Sequence, residues 1–245
     1  MGHKGDGIRM AKKIGADLVG MEQILTGGKP IFVDWADDVE DDIREPGWLL
    51  NVNQHGQRFV DESLGYYLKH DIMDYQPEGL TFAIFDSSAL TNLEEDHGWP
   101  IDVLEERIGD IGIAKADSLE ELAVELGINP EGLVRTVENY NAYVHQGEDQ
   151  EFFKDPDLLY AVEEPPFYGV QTVTAFVTLT AGGLRIDREA RVLRPEGYPI
   201  SGLYAAGETT GGVLGDIYPA GGAAITDAIV FGRAAGSNAA DEALQ

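Results

Sequence analysis

The chain has 245 residues, 43% of them hydrophobic and none of them cysteine. That length holds one large or two modest domains with a sizeable core, and the missing cysteine excludes disulfides, thiolate metal sites and cysteine nucleophiles. Asp plus Glu number 44 against 17 Lys plus Arg, a net charge of −27, which argues against nucleic acid and anionic membranes as partners.

The acidity reads as a solubility device, with a high-salt cytoplasm as the alternative. No apolar run reaches the ~20 residues of a membrane span, and the N-terminus shows no signal-peptide pattern. A cytoplasmic protein with no membrane span is therefore expected.

In chain order, Gly5-Asp6-Gly7 reads as a loop entering a short amphipathic helix (Ile8, Met10, Ala11, Ile14), followed by a strand at Leu18 to Met21. Pro30 to Trp35, Trp48 to Val52 and Thr81 to Phe85 read as strands, with a turn at His55-Gly56 and a helix from Ser63 to Asp74. Ser118-Leu119-Glu120-Glu121 is a capping box opening a helix to Leu126. Pro130 opens another, with Leu133, Val137, Tyr140 and Val144 on one face. Gln146 to Asp157 reads as a charged loop. Beyond Pro166 the texture changes: twelve of the 30 glycines fall between Gly182 and Gly236. Thr172 to Thr180, Leu184 to Ile186 and Leu203 to Ala206 read as strands, and Ala223 to Ala240 as an alanine-rich helix.

Two places carry chemistry. Gly221-Gly222-Ala223-Ala224-Ile225 opens the last helix. A helix N-terminus has free N–H groups and a positive dipole end, and glycines there let a flat ligand approach the backbone; close packing of a buried helix is the alternative. In Gly202-Leu203-Tyr204-Ala205-Ala206-Gly207-Glu208 a short apolar strand ends in glycine and then a carboxylate. Ligands of open α/β sheets bind just beyond strand ends, where a carboxylate suits a pair of hydroxyls; a solvated turn is the alternative. The five histidines show no metal-ligand spacing, and no metal is expected. Asp37-Asp38 with Asp41-Asp42 reads as a solvated acidic loop, with cation binding as the alternative.

The ordered set of Gly5-Asp6-Gly7-Ile8, Met21-Glu22-Gln23, Gly56-Gln57-Arg58-Phe59-Val60-Asp61-Glu62, Gly182-Gly183, Gly202 to Gly212 and Ala224 to Gly236 resembles the fumarate reductase and 3-ketosteroid dehydrogenase family of flavoproteins. The resemblance implies an α/β fold: a partial, Rossmann-like FAD-binding domain made of residues 1–28 and 166–245, with an α+β cap at 29–165 inserted between them. It implies FAD as cofactor, Gly5 and Asp6, Gly207 and Glu208, and Gly221, Ala223, Ala224 and Ile225 as cofactor-binding residues. Glu208 would take a flavin hydroxyl, and the Ala224 and Ile225 N–H groups the pyrimidine edge of the isoalloxazine.

The departures define the rest. The family's G-x-G-x-x-G motif is absent from the 245 residues. A missing N-terminal FAD-binding half, on the same or a second chain, is therefore an expected partner. Alone, the chain is expected to bind FAD weakly or not at all and to be inactive. Fumarate reductases carry an arginine proton donor where this chain has Tyr66, a histidine just before Gly182-Gly183, and an arginine before the last helix. Without that cationic set a dicarboxylate is poorly held. The 3-ketosteroid dehydrogenases have a tyrosine at the Tyr66 position and a Tyr-Pro run like Tyr218-Pro219. By that likeness Tyr218 and the Gly222 N–H polarise a substrate ketone, and Tyr66 exchanges the proton on the neighbouring carbon. His70, four residues on, would assist Tyr66. The expected function is FAD-dependent redox chemistry of a carbon–carbon bond beside a carbonyl, on a steroid-like ketone, with an undefined electron partner. The alternatives are a reductase of an unsaturated carboxylic acid and a non-catalytic domain that binds no flavin.

Overall fold

The computed structural model describes residues 4–33, 45–215, 218–219 and 221–244, with the side chains of these except at 25–26, 66–67 and 174–178. The acidic run Asp37-Asp38 with Asp41-Asp42 lies outside the described residues; of the strand expected at Pro30 to Trp35, residues 34–35 lie outside them and 31–33 form a turn, the strand instead ending at Pro30. In chain order the elements are α1 (Asp6–Lys13), β1 (Leu18–Val19), β2 (Ile24–Pro30), β3 (Leu50–Asn53), α2 (Tyr66–Asp74), β4 (Thr81–Asp86), α3 (Leu90–Glu95), α4 (Ile101–Glu106), β5 (Ile113–Ala116), α5 (Leu119–Leu126), α6 (Pro130–Gln146), β6 (Phe167–Thr180), β7 (Gly183–Leu184), β8 (Arg191–Leu193), β9 (Pro199–Tyr204) and α7 (Ala223–Ala243). Among the described residues no helix is long and apolar enough to cross a membrane.

The chain divides into two compact units, Met1–Thr26 with Val177–Gln245, and Gly27–Phe176. The second division falls at 176/177 rather than at the expected 165/166. The reason is strand pairing: the first half of β6 pairs with β4, from Thr172 opposite Thr81 to Phe167 opposite Asp86, and with β5, Val170 opposite Ile113.

In the 27–176 unit the sheet order is β2-β6-β4-β3, with β5 also on β6. All six residues of β4 are buried. Its alternation sends Phe82 and Ile84 to one face, against Leu122, Leu133, Val137 and Tyr140, and Ala83 and Phe85 to the other, against Leu93, Trp99 and Leu104. The sheet is thus a central layer between α5–α6 and α3–α4. Ser118 caps α5 by accepting from the Glu121 N–H at 3.2 Å, and Asn129 caps α6 by accepting from Gly132 at 2.7 Å. The six-residue helices α3 and α4 and strand β5 are not evident in the sequence, because Gly98-Trp99-Pro100 interrupts any periodicity between them.

This unit also buries four charges together. Arg58 donates to both oxygens of Glu62 at 2.9 Å and reaches Asp149 at 2.8 Å, while Lys154 Nζ donates to Glu62 at 3.0 Å and to the Tyr140 hydroxyl at 3.3 Å. The Arg58 guanidinium lies 5.0 Å from the Tyr140 ring centre and 4.9 Å from that of Phe152. Burial alone would push the Asp149 carboxyl up, but the Arg58 guanidinium and the Glu151 and Lys154 N–H groups overcome it and hold it at about 2. The segment 146–157, read as a charged loop, supplies two interior charges. A second buried contact joins Glu45 to Lys69 of α2 at 3.3 Å, with the Asn51 amide and the Thr172 hydroxyl also donating to Glu45.

The 1–26/177–245 unit is built from two-stranded ladders. Leu18 and Val19 of β1 pair with Leu184 and Gly183 of β7, Arg191 of β8 pairs with Tyr204 of β9, and Leu184 bridges Thr210 in parallel. Ala11, Ala16, Leu184, Val192, Ile200 and Ala205 form its core. Helix α7 is tied to β9 by the Tyr204 hydroxyl, which donates to Glu242 at 2.7 Å, and by Ser201, which donates to the same carboxylate at 2.8 Å.

Removing Arg58 takes the cation from the buried Asp149 and leaves Glu62 with Lys154 alone. Arg58→Ala is expected to cost about 3–5 kcal/mol in urea unfolding, whereas Arg188→Ala on the surface should stay within about 0.5 kcal/mol. Because the Asp149 pKa is lower in the folded than in the unfolded chain, its contribution is present above the ordinary 3.8 and is lost as pH falls towards about 2. Unfolding free energy measured down that window should fall in the native chain and fall less in Asp149→Asn.

Candidate functional site

The site residues predicted for the 1–26/177–245 unit gather through backbone contacts that only glycine permits. A Cβ on Gly182 would lie 2.5 Å from the Gly20 carbonyl oxygen, one on Gly183 2.5 Å from that of Thr209, and one on Gly211 2.4 Å from the Gly183 nitrogen. Three segments thereby touch main chain to main chain. They frame a cleft of about 560 Å³ lined by Gly5, Asp6, Gly7, Gln23, Glu208 and Thr209, among others. Gly5 is the residue before the first turn of α1, and the exposed Glu208 lies in the turn Gly207–Thr209 that follows β9. The cleft therefore brings Gly5, Asp6 and Glu208 together.

Gly207, Ala224 and Asp227 meet at a second, small cavity of about 20 Å³, lined also by Thr180, Ala181 and Glu208. A third, more open cavity of about 440 Å³ runs along the first turns of α7. Its walls are Val213, Leu214, Gly221, Gly222, Ala223, Thr226, Asp227, Val230 and Phe231, with no Lys, Arg or His among the described residues. Gly222 precedes α7 with φ 85°, a left-handed conformation that brings the chain into the helix without a side-chain cap of its own. The Tyr218 hydroxyl does the capping instead: it accepts from the Ala224 N–H at 2.9 Å, and Tyr218 is buried. The Ala224 N–H, expected at a flavin edge, is thus directed to Tyr218. The Ile225 side chain is 67% exposed and lines none of the three cavities.

The remaining expectations fall in the other unit. Tyr66 is the first residue of α2, and its side chain lies outside those described. His70, on the same helix, accepts from the Gly28 N–H at 3.0 Å through Nδ1, so that nitrogen carries no proton. Arg58, which could have met a substrate carboxylate, is consumed by Glu62 and Asp149.

The residue that the sequence reading passed over is Asp227. It is 9% exposed and its Oδ1 has no hydrogen-bond partner among the described residues. Burial raises its pKa. The signal was available: Asp227 is a lone acid in Ala223-Ala-Ile-Thr-Asp-Ala-Ile-Val-Phe231, three residues after Ala224 and so on the same helical face.

A family model described as FAD binding domain matches residues 1–225. The chain is 37% identical over 239 residues to an NADH:acrylate oxidoreductase of Vibrio harveyi, covering 97% of this chain and 23% of that protein. It is 36% identical over 243 residues to a probable fumarate reductase of Shewanella frigidimarina, covering 98% of this chain and 39% of that protein. The crystal structure of 3-ketosteroid delta1-dehydrogenase from Sterolibacterium denitrificans superposes with a TM-score of 0.76 at 26% identity, covering 98% of this chain and 47% of that one. The chain thus spans less than half the length of each.

The residues fit the flavin end of such a cofactor, on two observations: the glycine contacts that open the cleft beside Glu208, and the orphaned Asp227 oxygen at the head of α7. The contacts are testable without a ligand. Gly183→Ala should destabilise the chain by about 1–3 kcal/mol, because its Cβ meets backbone that cannot yield cheaply. Gly221→Ala, with nothing within 4 Å of its Cβ, should stay within about 0.5 kcal/mol. Urea melts of the two variants make the comparison.

Proposed function

Because the chain belongs to the FAD binding domain family, among the fumarate reductase and 3-ketosteroid dehydrogenase flavoproteins that use FAD, we propose that it carries out two-electron redox chemistry on a carbon–carbon bond next to a ketone. The proposed substrate is a steroid-like ketone, and residues 1–26 with 177–245 form the FAD-binding part while 27–176 act as the cap. FAD, when bound, supplies the acceptor or donor of the hydride.

The observation that carries the substrate class is the wall of the third cavity. Among the described residues it is apolar apart from Thr226 and Asp227 and includes no cation. A dianion brought there would meet a carboxylate and no compensating charge, which is unfavourable in a desolvated site. A flat apolar ketone meets matching surface. Tyr218 is the proposed electrophile. Accepting from the Ala224 N–H polarises its hydroxyl and strengthens it as a donor. Donation to a ketone oxygen, together with the Gly222 N–H, stabilises the charge that develops as the neighbouring carbon loses its proton. Tyr66 is the proposed partner for that proton. A tyrosine titrates ordinarily near ~10, so it needs a local cation or donor to act as base. Lys69, one turn on in α2, is a buried cation whose described ionic contact is with Glu45.

The second reading, reduction of an unsaturated carboxylic acid, draws on the acrylate and fumarate relatives. It lacks an arginine for the carboxylate among the described cavity walls, and Arg58 is already paired inside its own unit.

Tyr218→Phe separates these readings in the natural polypeptide that contains this chain. With a 3-ketosteroid, kcat should fall about 10²–10³-fold, the ~2.7–4 kcal/mol of one lost oxyanion donor. The lost α7 cap should also lower stability by about 1 kcal/mol. A stability loss with kcat changed less than about threefold would leave Tyr218 a cap alone, far below the donor-deletion scale, and would favour the carboxylate reading.

A further inference from the structure

The first turn of α7 offers only donors to a ligand. The N–H groups at the start of a helix have no intrahelical acceptor, and they suit carbonyl oxygens. The pyrimidine ring of an isoalloxazine presents two carbonyl oxygens with one N–H, at N3, between them. Backbone donors cannot satisfy that N–H; it needs an acceptor.

The side chains around the head of α7 narrow the choice. The Thr226 hydroxyl donates to the Gly222 carbonyl oxygen at 3.1 Å. The Tyr218 hydroxyl already accepts from Ala224. Glu208 is exposed, on the side of the turn after β9. Asp227 alone couples deep burial to an oxygen with no partner among the described residues, and it lines both cavities that flank the first turn. A buried carboxylate oxygen left without a donor is unfavourable, and a ligand N–H reaching it removes that penalty. The geometry points to Asp227 as the acceptor for the N3–H of the flavin pyrimidine ring, a cofactor-selecting residue within the FAD site proposed above, on which this inference rests. It contributes a charge-assisted hydrogen bond, and it makes the α7 head selective for a ring with a donor between two carbonyls.

The test uses the natural polypeptide that contains this chain, stripped of flavin and titrated with FAD and with N3-methyl-FAD by flavin fluorescence. The native protein should bind FAD at least tenfold more tightly than the N3-methyl form, the scale of one hydrogen bond to a charged group. Asp227→Ala should bring the two flavins within about threefold of each other, chiefly by weakening FAD. Asp227→Asn, which keeps the shape and an acceptor oxygen, should retain part of the preference, and it serves as the control should the alanine variant fold poorly. Equal binding of both flavins by the native protein would overturn the assignment. So would an undiminished preference in Asp227→Ala or equal weakening of both flavins, which would mark a ribityl contact instead. Failure of the FAD reading itself looks different: neither flavin would bind.

Discussion

Arg58, Glu62, Asp149 and Lys154 share one dry interior, and their charges sum to zero, so that loss of any single one leaves an unbalanced buried charge. Each ion has lost its water, so each depends on its neighbours for compensation. The arrangement fixes three stretches that regular structure does not: the chain after the turn at His55-Gly56, the approach to α2, and the 149–154 segment. Burial pushes the Lys154 ammonium pKa down, with Glu62 opposing, and pushes the Tyr140 hydroxyl up. Glu62 stands four residues before Tyr66. The start of α2 is therefore held by a charge network on one side and by the Glu45–Lys69 contact on the other.

The other unit relies on the opposite device, the absence of side chains. Gly182, Gly183 and Gly211 let backbone rest on backbone, and the cleft beside Gly5, Asp6 and Glu208 follows from that close approach. The head of α7 is finished by Tyr218 rather than by a Ser, Thr or Asp, so one hydroxyl serves both the helix and, in the proposed chemistry, the substrate. A residue with two tasks explains why its loss should register in stability and turnover together. The Asp227 oxygen, which has no partner among the described residues, belongs to the same head, and such a departure from full satisfaction is what motivates the proposed ligand contact there.

Local signals were legible in the sequence where one principle governed them. The Ser118 capping box gave α5 nearly to the residue and Pro130 gave the start of α6, while the glycines of the C-terminal third showed as a change of texture whose close backbone contacts the fold reveals. What long-range packing decides was not legible. The 149–154 segment reads only as part of a charged loop because nothing in its sequence says that Arg58 and Glu62 wait for it. β8 is three residues long and earns its place by pairing with β9, and α3 and α4 are too short to show a period. Asp227 was visible as a lone acid in an apolar helix, yet its burial, and its lack of a partner among the described residues, depend on how α7 packs.

On the proposed reading, a flavin beside a largely apolar cavity, whose described walls carry the Asp227 carboxylate and no cation, acts on a ketone rather than on a carboxylate. Anaerobic rapid mixing of the FAD-loaded natural polypeptide tests it most directly, with the flavin's visible absorbance as the readout. A ring-saturated 3-ketosteroid should bleach the oxidised flavin within a catalytic turnover, while fumarate and acrylate should leave the chemically reduced flavin unoxidised. Rapid reoxidation by fumarate or acrylate, with the steroid leaving the absorbance unchanged, would contradict it.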